Sequence, residues 1–229
     1  MSLTEAARRW PDRPALTMGV RSATYTELLD EASAFARGLS GLGIKRGDKV
    51  GTLLHNRWEC VVAFYASSLL GATLVPFNAR YRVDELQFVV GHSDIVGLLT
   101  ASHESIPLDL SRVLTAAFPV LANWSADRPL DIAEAPMLRW VADLSGRPKS
   151  GWISSEDIAA AAAEVSSNTV SDEIGETTPS DICLLIFSSG TTARPKACMI
   201  THENLTRAGA ALAERFELTE DDRLWDPLP

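Results

Sequence analysis

Cysteine is scarce: Cys60, Cys183 and Cys198 are the three in 229 residues, an odd number spread widely through apolar runs. That argues against a disulfide framework or a cysteine metal cluster and for buried thiols. No apolar stretch reaches the roughly 18 residues that crossing a bilayer needs. The opening Met1-Ser2-Leu3-Thr4-Glu5 lacks the basic and apolar regions of a secretory signal. The expectation is a cytoplasmic protein with no transmembrane segment. Basic residues are also in deficit, with 21 Lys and Arg against 30 Asp and Glu and a net charge of −9. Nucleic acid is therefore not an expected partner, because a phosphate backbone is held by clustered lysine and arginine. No internal repeat is found. Neither a Gly-x-Gly-x-x-Gly nor a Gly-Lys-Ser/Thr run occurs, which sets aside the dinucleotide and Walker signatures.

What is present is an ordinary globular composition, 46% hydrophobic and 22% charged, with enough apolar residues for a sizeable core. The first half alternates helical and strand patterns. Thr26 is placed to cap a helix whose Leu28, Ala32, Phe35, Ala36 and Leu39 share a face, ended by Gly41 and Gly43. A strand over 49–54 follows. Trp58, Val61, Val62, Tyr65 and Leu69 then repeat the helical spacing, and Gly71 closes that helix. Strands over 72–75 and 95–99 flank a helix over 84–90. Such alternation predicts an α/β fold, a mostly parallel sheet flanked by helices. Between 100 and 180 the pattern loosens into a variable excursion and linker that holds an alanine-rich helix over 154–165, capped by Ser154 or Ser155 and expected to pack on the sheet.

The most informative stretch is 182–196. Ile182 to Phe187 is an apolar run that reads as a central parallel strand buried on both faces. It breaks into Ser188-Ser189-Gly190-Thr191-Thr192-Ala193-Arg194-Pro195-Lys196. A loop leaving the carboxyl end of such a strand sits where α/β sheets place their ligands. The hydroxyls of Ser188, Ser189, Thr191 and Thr192 supply hydrogen-bond donors, Gly190 permits close backbone approach, and Lys196 brings a compact positive charge. That chemistry suits a polyphosphate. A hydroxyl-rich surface turn is the plainer alternative. After Lys196 a second strand and Thr201-His202-Glu203-Asn204-Leu205 lead into a helix, with Thr201 as cap and Leu205, Ala208, Leu212 and Phe216 near one face.

This segment resembles the phosphate-loop motif of the adenylate-forming (AMP-binding) superfamily, Ser/Thr-Ser-Gly-Thr-Thr-Gly-x-Pro-Lys-Gly, and departs from it at Ala193 and Ala197. Further matches lie in Gly71-Ala72-Thr73-Leu74-Val75-Pro76-Phe77-Asn78-Ala79-Arg80 with Glu85-Leu86, and in Asp12-Arg13-Pro14-Ala15 and Thr24-Tyr25 with Glu27-Leu28. They are similar to the N-terminal portion of an acyl-CoA synthetase.

The resemblance implies an incomplete N-terminal domain over 1–229 and an ATP-dependent ligase. In that chemistry a carboxylic acid becomes an acyl-adenylate and then an acyl-CoA, with ATP, Mg2+ and coenzyme A as cofactors. It implies Ser188, Ser189, Gly190, Thr191, Thr192 and Lys196 as phosphate-binding residues, Lys196 as the catalytic cation, Thr191 as the hydroxyl reaching the metal, and His202 as a lesser candidate. Asn78 and Arg80 read as turn and surface residues and are left out of the site. The family's aromatic-Gly-x-Thr-Glu motif, ribose-binding aspartate and C-terminal domain with its adenylating lysine have no counterpart in the sequence. Small-molecule acid, ATP and CoA are thus the expected partners, together with a missing C-terminal half of the same enzyme. A noncatalytic nucleotide-binding or interaction module that kept the scaffold is the rival reading, and a loading domain serving a carrier protein is a second enzymatic one.

Overall fold

The computed structural model describes residues 2–102, 108–166, 176–188 and 194–226. Helix α1 (Leu3–Arg9) leads to an antiparallel hairpin, β1 (Pro14–Met18) and β2 (Arg21–Thr24). The main body follows: α2 (Tyr25–Gly41), β3 (Lys49–Leu53), α3 (Trp58–Leu69), β4 (Thr73–Phe77), α4 (Val83–Ser93) and β5 (Gly97–Thr100). It continues through α5 (Leu110–Ala117), β6 (Trp140–Asp143) and α6 (Ser155–Ala163) to β7 (Ile182–Ser188), β8 (Lys196–Thr201) and α7 (His202–Arg215).

Six strands form one sheet in the order β6-β5-β3-β4-β7-β8. All neighbours run parallel except β8, which is antiparallel to β7. The expected α/β architecture is therefore present. Strands β3, β4 and β5 are short apolar runs buried on both faces, as a helix-covered parallel sheet requires. Where Gly97 passes Trp140 the sheet admits no side chain at all, since a Cβ there would overlap the indole ring.

Helix α2 begins two residues earlier than expected. Thr24, not Thr26, is the cap: its hydroxyl accepts from Glu27 N at 3.2 Å while the Glu27 carboxylate accepts from Thr24 N at 2.8 Å. This reciprocal pair satisfies two otherwise orphaned donors. The face anticipated for α2 is the buried one, with Leu28, Ala32, Ala36 and Leu39 all in the core.

The reading of 100–180 as excursion and linker needs correction over its described part. Trp140, Val141, Ala142 and Asp143 are all buried and form the edge strand beside β5. Helix α6, expected on the sheet, packs instead along α2. Glycines permit that approach: a Cβ at Gly41 would stand 2.6 Å from the Ala161 carbonyl oxygen. Residues 167–175 of the expected linker lie outside the described residues.

Strand β7 also differs from its expectation. Cys183, Leu185 and Phe187 are buried, but Ile186 and Ser188 on the other face are exposed, so burial alternates. The cause is the cover: α7, next to β8, buries none of its own residues among those described. Its anticipated face of Leu205, Leu212 and Phe216 is open to solvent. Of the three thiols, Cys183 is buried, Cys60 half-buried and Cys198 exposed, which corrects the expectation for the last. Burial pushes the Cys60 and Cys183 thiols up from their ordinary range.

Candidate functional site

The parallel registers set the strand ends level. Leu53 pairs with Phe77 and Thr100, and Thr100 pairs with Asp143, so the carboxyl ends of β3 to β6 share one edge. Strand β7 joins through Leu74 opposite Leu184, which carries Phe187 up beside Phe77 with ring centroids 6.3 Å apart. Ser188 therefore reaches the edge where ligands of α/β sheets collect. The chain re-enters at Lys196, which stands directly opposite Ser188 in the ladder, the Ser188 hydroxyl lying 3.4 Å from the Lys196 carbonyl oxygen.

Of the expected phosphate-holding residues, Ser188 and Lys196 are thus brought together, both exposed at this edge. Ser189, Gly190, Thr191 and Thr192 lie outside the described residues, as does Ala193. The second departure from the motif is structurally mild. Ala197 is an ordinary ladder residue opposite Phe187, and the described non-glycine residues with positive φ are Asp94 and Glu217 only. A side chain at 197 therefore carries no left-handed strain.

Two features of the loop exit had no signal in the sequence. The Arg194 guanidinium lies 5.1 Å from the centroid of the Phe88 ring on α4, and Phe88 in turn lies against His92. This tethers the end of the loop to the neighbouring helix through a cation–π contact. At the same edge the buried Asp143 carboxylate accepts from Ser145 N and Lys149 N, both at 3.0 Å, and so closes its own loop rather than facing a ligand. Asn78 accepts from Arg80 N at 2.9 Å, a turn contact as expected.

His202 is not brought to this edge. Because β8 runs antiparallel, its last residue Thr201 pairs with Ile182, the first residue of β7. The seven residues of β7 rise about 20 Å at roughly 3.3 Å each, and that length separates the start of α7 from Ser188. At the amino edge His202 N donates to the Asp181 carbonyl at 3.0 Å, and its ring nitrogen Nε2 is buried without a hydrogen-bond partner among the described residues. The Asp181 carboxylate accepts from Arg46 Nη2 at 2.6 Å and from Thr178 N at 2.8 Å. Those bonds, the Thr178 amide foremost, hold its carboxyl below the usual carboxylate range.

Burial pushes the His202 imidazole down from its ordinary value near 6.5, with the nearby Asp181 acting in the opposite sense. The folded state thus binds the proton less readily than the unfolded state, so stability is full above 6.5 and falls as pH drops below it. Asp181 contributes in the same direction at lower pH, below its unfolded value of 3.8. Urea unfolding is expected to give a lower midpoint at pH 5.5 than at pH 7.5, with the difference shrinking in His202→Gln. An unchanged difference in that variant would remove His202 as its source.

The chain has counterparts among known proteins. The family model described as AMP-binding enzyme matches residues 3–229. The chain belongs to the AMP-binding enzyme family. It is 34% identical over 206 residues to acyl-CoA ligase sidI of Aspergillus fumigatus, which covers 90% of this chain and 33% of that protein. It is 30% identical to oxalate–CoA ligase of Arabidopsis thaliana, over 99% of this chain and 39% of the relative. The crystal structure of the inhibitor-bound N-terminal domain of FACL13 from Mycobacterium tuberculosis aligns with a TM-score of 0.72 and 26% identity. That alignment covers 99% of this chain and 50% of the other. The chain thus spans a third to two fifths of the length of these curated relatives. No helix among the described residues is long and apolar enough to cross a membrane.

Proposed function

We propose that this chain supplies the phosphate-holding part of an ATP-dependent, AMP-forming acid–thiol ligase, as an N-terminal portion of that domain over 1–229. The observation that carries the reading is the placing of Ser188 against Lys196 where β7 ends at the carboxyl edge of a parallel sheet. Membership of a family whose relatives are acyl-CoA ligases supports it.

In the reaction a carboxylate oxygen of the acid attacks the α-phosphorus of ATP and the bond to the bridging oxygen breaks, releasing pyrophosphate and leaving an acyl-adenylate. The thiol of coenzyme A then attacks the acyl carbon and AMP departs. Negative charge grows on the leaving phosphates in the first step, so fixed donors and a cation accelerate it. Lys196 is assigned that cation, and Ser188, Ser189, Thr191 and Thr192 the donors, with Gly190 giving the phosphates room to approach the backbone. No group of three or more His, Cys, Asp or Glu among the described residues forms a metal cage. This donor set fits a magnesium ion carried mainly by phosphates and water, with the Thr191 hydroxyl as its protein contact. Bound there, the ion would neutralise phosphate charge. A cytoplasmic setting, where ATP and CoA are available, belongs to the same reading.

The test is nucleotide binding by the purified chain. ATP is expected to bind more tightly than adenosine, and Lys196→Ala to weaken ATP by about tenfold, the worth of one charge-assisted contact, while leaving adenosine unchanged. Equal affinity for ATP and adenosine, or an indifferent Lys196→Ala, would overturn the phosphate assignment.

A further inference from the structure

A cavity that shares no residue with the phosphate loop opens on the helical layer formed by α2, α3 and α6. Its volume is about 570 Å3, within the range of small-molecule sites. The body of the groove is apolar: Phe35 from α2, Val62 from α3, Leu144 after β6, and Ile158, Ala159 and Ala162 from α6. The small side chains of α6 leave space that larger ones would fill.

The charges around it are unevenly settled. Arg21 donates to both oxygens of the Glu31 carboxylate at 2.8 and 2.9 Å and lies 3.9 Å over the Trp58 ring, whose Nε1 donates to Glu31 at 2.7 Å. Glu59 is held by Arg57, Nε to Oε2 at 2.6 Å. Each carboxylate in the lining thus has its own guanidinium. Arg37 also lines the cavity, half-buried on α2, and among the described residues it has neither ion pair nor hydrogen bond. Arg37 is thus the charged side chain of this lining that no ion pair among the described residues engages, and it stands beside an apolar trough.

We infer that the groove binds a small amphipathic carboxylate, its apolar body against Phe35, Val62, Leu144 and the α6 alanines and its head on the Arg37 guanidinium. A carboxylate matches the planar fork of arginine with two parallel charge-assisted hydrogen bonds. A cation finds its place already taken by Arg21 and Arg57, and a neutral chain gains no charge-assisted bond from Arg37. The site is independent of the nucleotide reading and stands or falls without it.

Quenching of tryptophan fluorescence by a bromine-bearing decanoate tests the assignment on the purified chain, since Trp58 forms one wall. The Trp58 share is the quenching lost in Trp58→Phe. Decanoate is expected to compete with that share about tenfold better than decanol, and Arg37→Gln to abolish the preference without changing decanol. Ala162→Leu, which fills the trough, is expected to remove the Trp58 share, with circular dichroism showing the fold retained. Equal competition by decanoate and decanol, or a Trp58 share that survives Ala162→Leu in the folded variant, would overturn the inference. Nucleotide binding should be untouched by Arg37→Gln, which separates this site from the phosphate loop.

Discussion

Acyl-adenylate formation by an enzyme carrying this segment is expected to slow by about a hundred- to a thousandfold on Lys196→Ala, the cost of one preorganised group facing developing charge. Binding of the acid should change little, because the ammonium acts where phosphate charge grows and the acid does not meet it in the ground state. Lys196 suits the role physically. It is exposed at the carboxyl edge, and its backbone is fixed by pairing across from Ser188. Ala193→Gly is expected to be neutral or to raise the rate, since a glycine removes any cost of a left-handed backbone, roughly 1 to 2 kcal/mol, at the loop position where the family motif has one. Single-turnover kinetics with saturating acid separates chemistry from binding for both variants. An unchanged chemical step in Lys196→Ala would end the assignment of that lysine to the phosphates.

The residues that made the fold readable are those whose pattern is local. Leu28, Ala32, Ala36 and Leu39 repeat at helical spacing and are buried together, and the runs at β3, β4 and β5 are apolar because both faces are covered. The true cap of α2 was also written locally, in the Thr24-x-x-Glu27 box, whereas Thr26 has Leu29 three residues on and cannot form one. Strand β6 is different. Four residues, Trp140 to Asp143, set among prolines and charges carry no period long enough to read, and only their pairing with β5 makes them a strand. The same distinction divides the candidate site. The change from apolar run to hydroxyls at Ser188 is local and lies where expected. The side of the sheet on which His202 falls depends on the direction of β8, which sequence spacing does not encode. Arg194 on Phe88 and Arg46 with Asp181 are contacts between distant segments and left no local trace.

The purified chain is expected to bind hydrophobic dye and to associate with itself in proportion to concentration, through the exposed apolar side chains of β8 and α7. Met199 is 67% exposed, Leu212 53% and Phe216 66%, and Leu224 and Trp225 are more exposed still. Large apolar side chains left open to solvent favour contacts between copies. Strand β8 adds an edge unpaired among the described residues, and an uncharged one over Ala197-Cys198-Met199-Ile200, with Lys196 marking its start. Burying three such side chains in a contact between two copies is worth on the order of 5 kcal/mol before the losses of association, which are of similar size, so the association is expected to be weak and to grow with concentration. Met199→Glu combined with Leu212→Glu should abolish the dye signal and shift sedimentation to the monomer. Thermal unfolding should be little changed, because neither side chain contributes to the core. A wild-type chain that sediments as a monomer at every concentration and leaves the dye dark would show that this face is covered in solution. An identical association in the double variant would move the contact elsewhere.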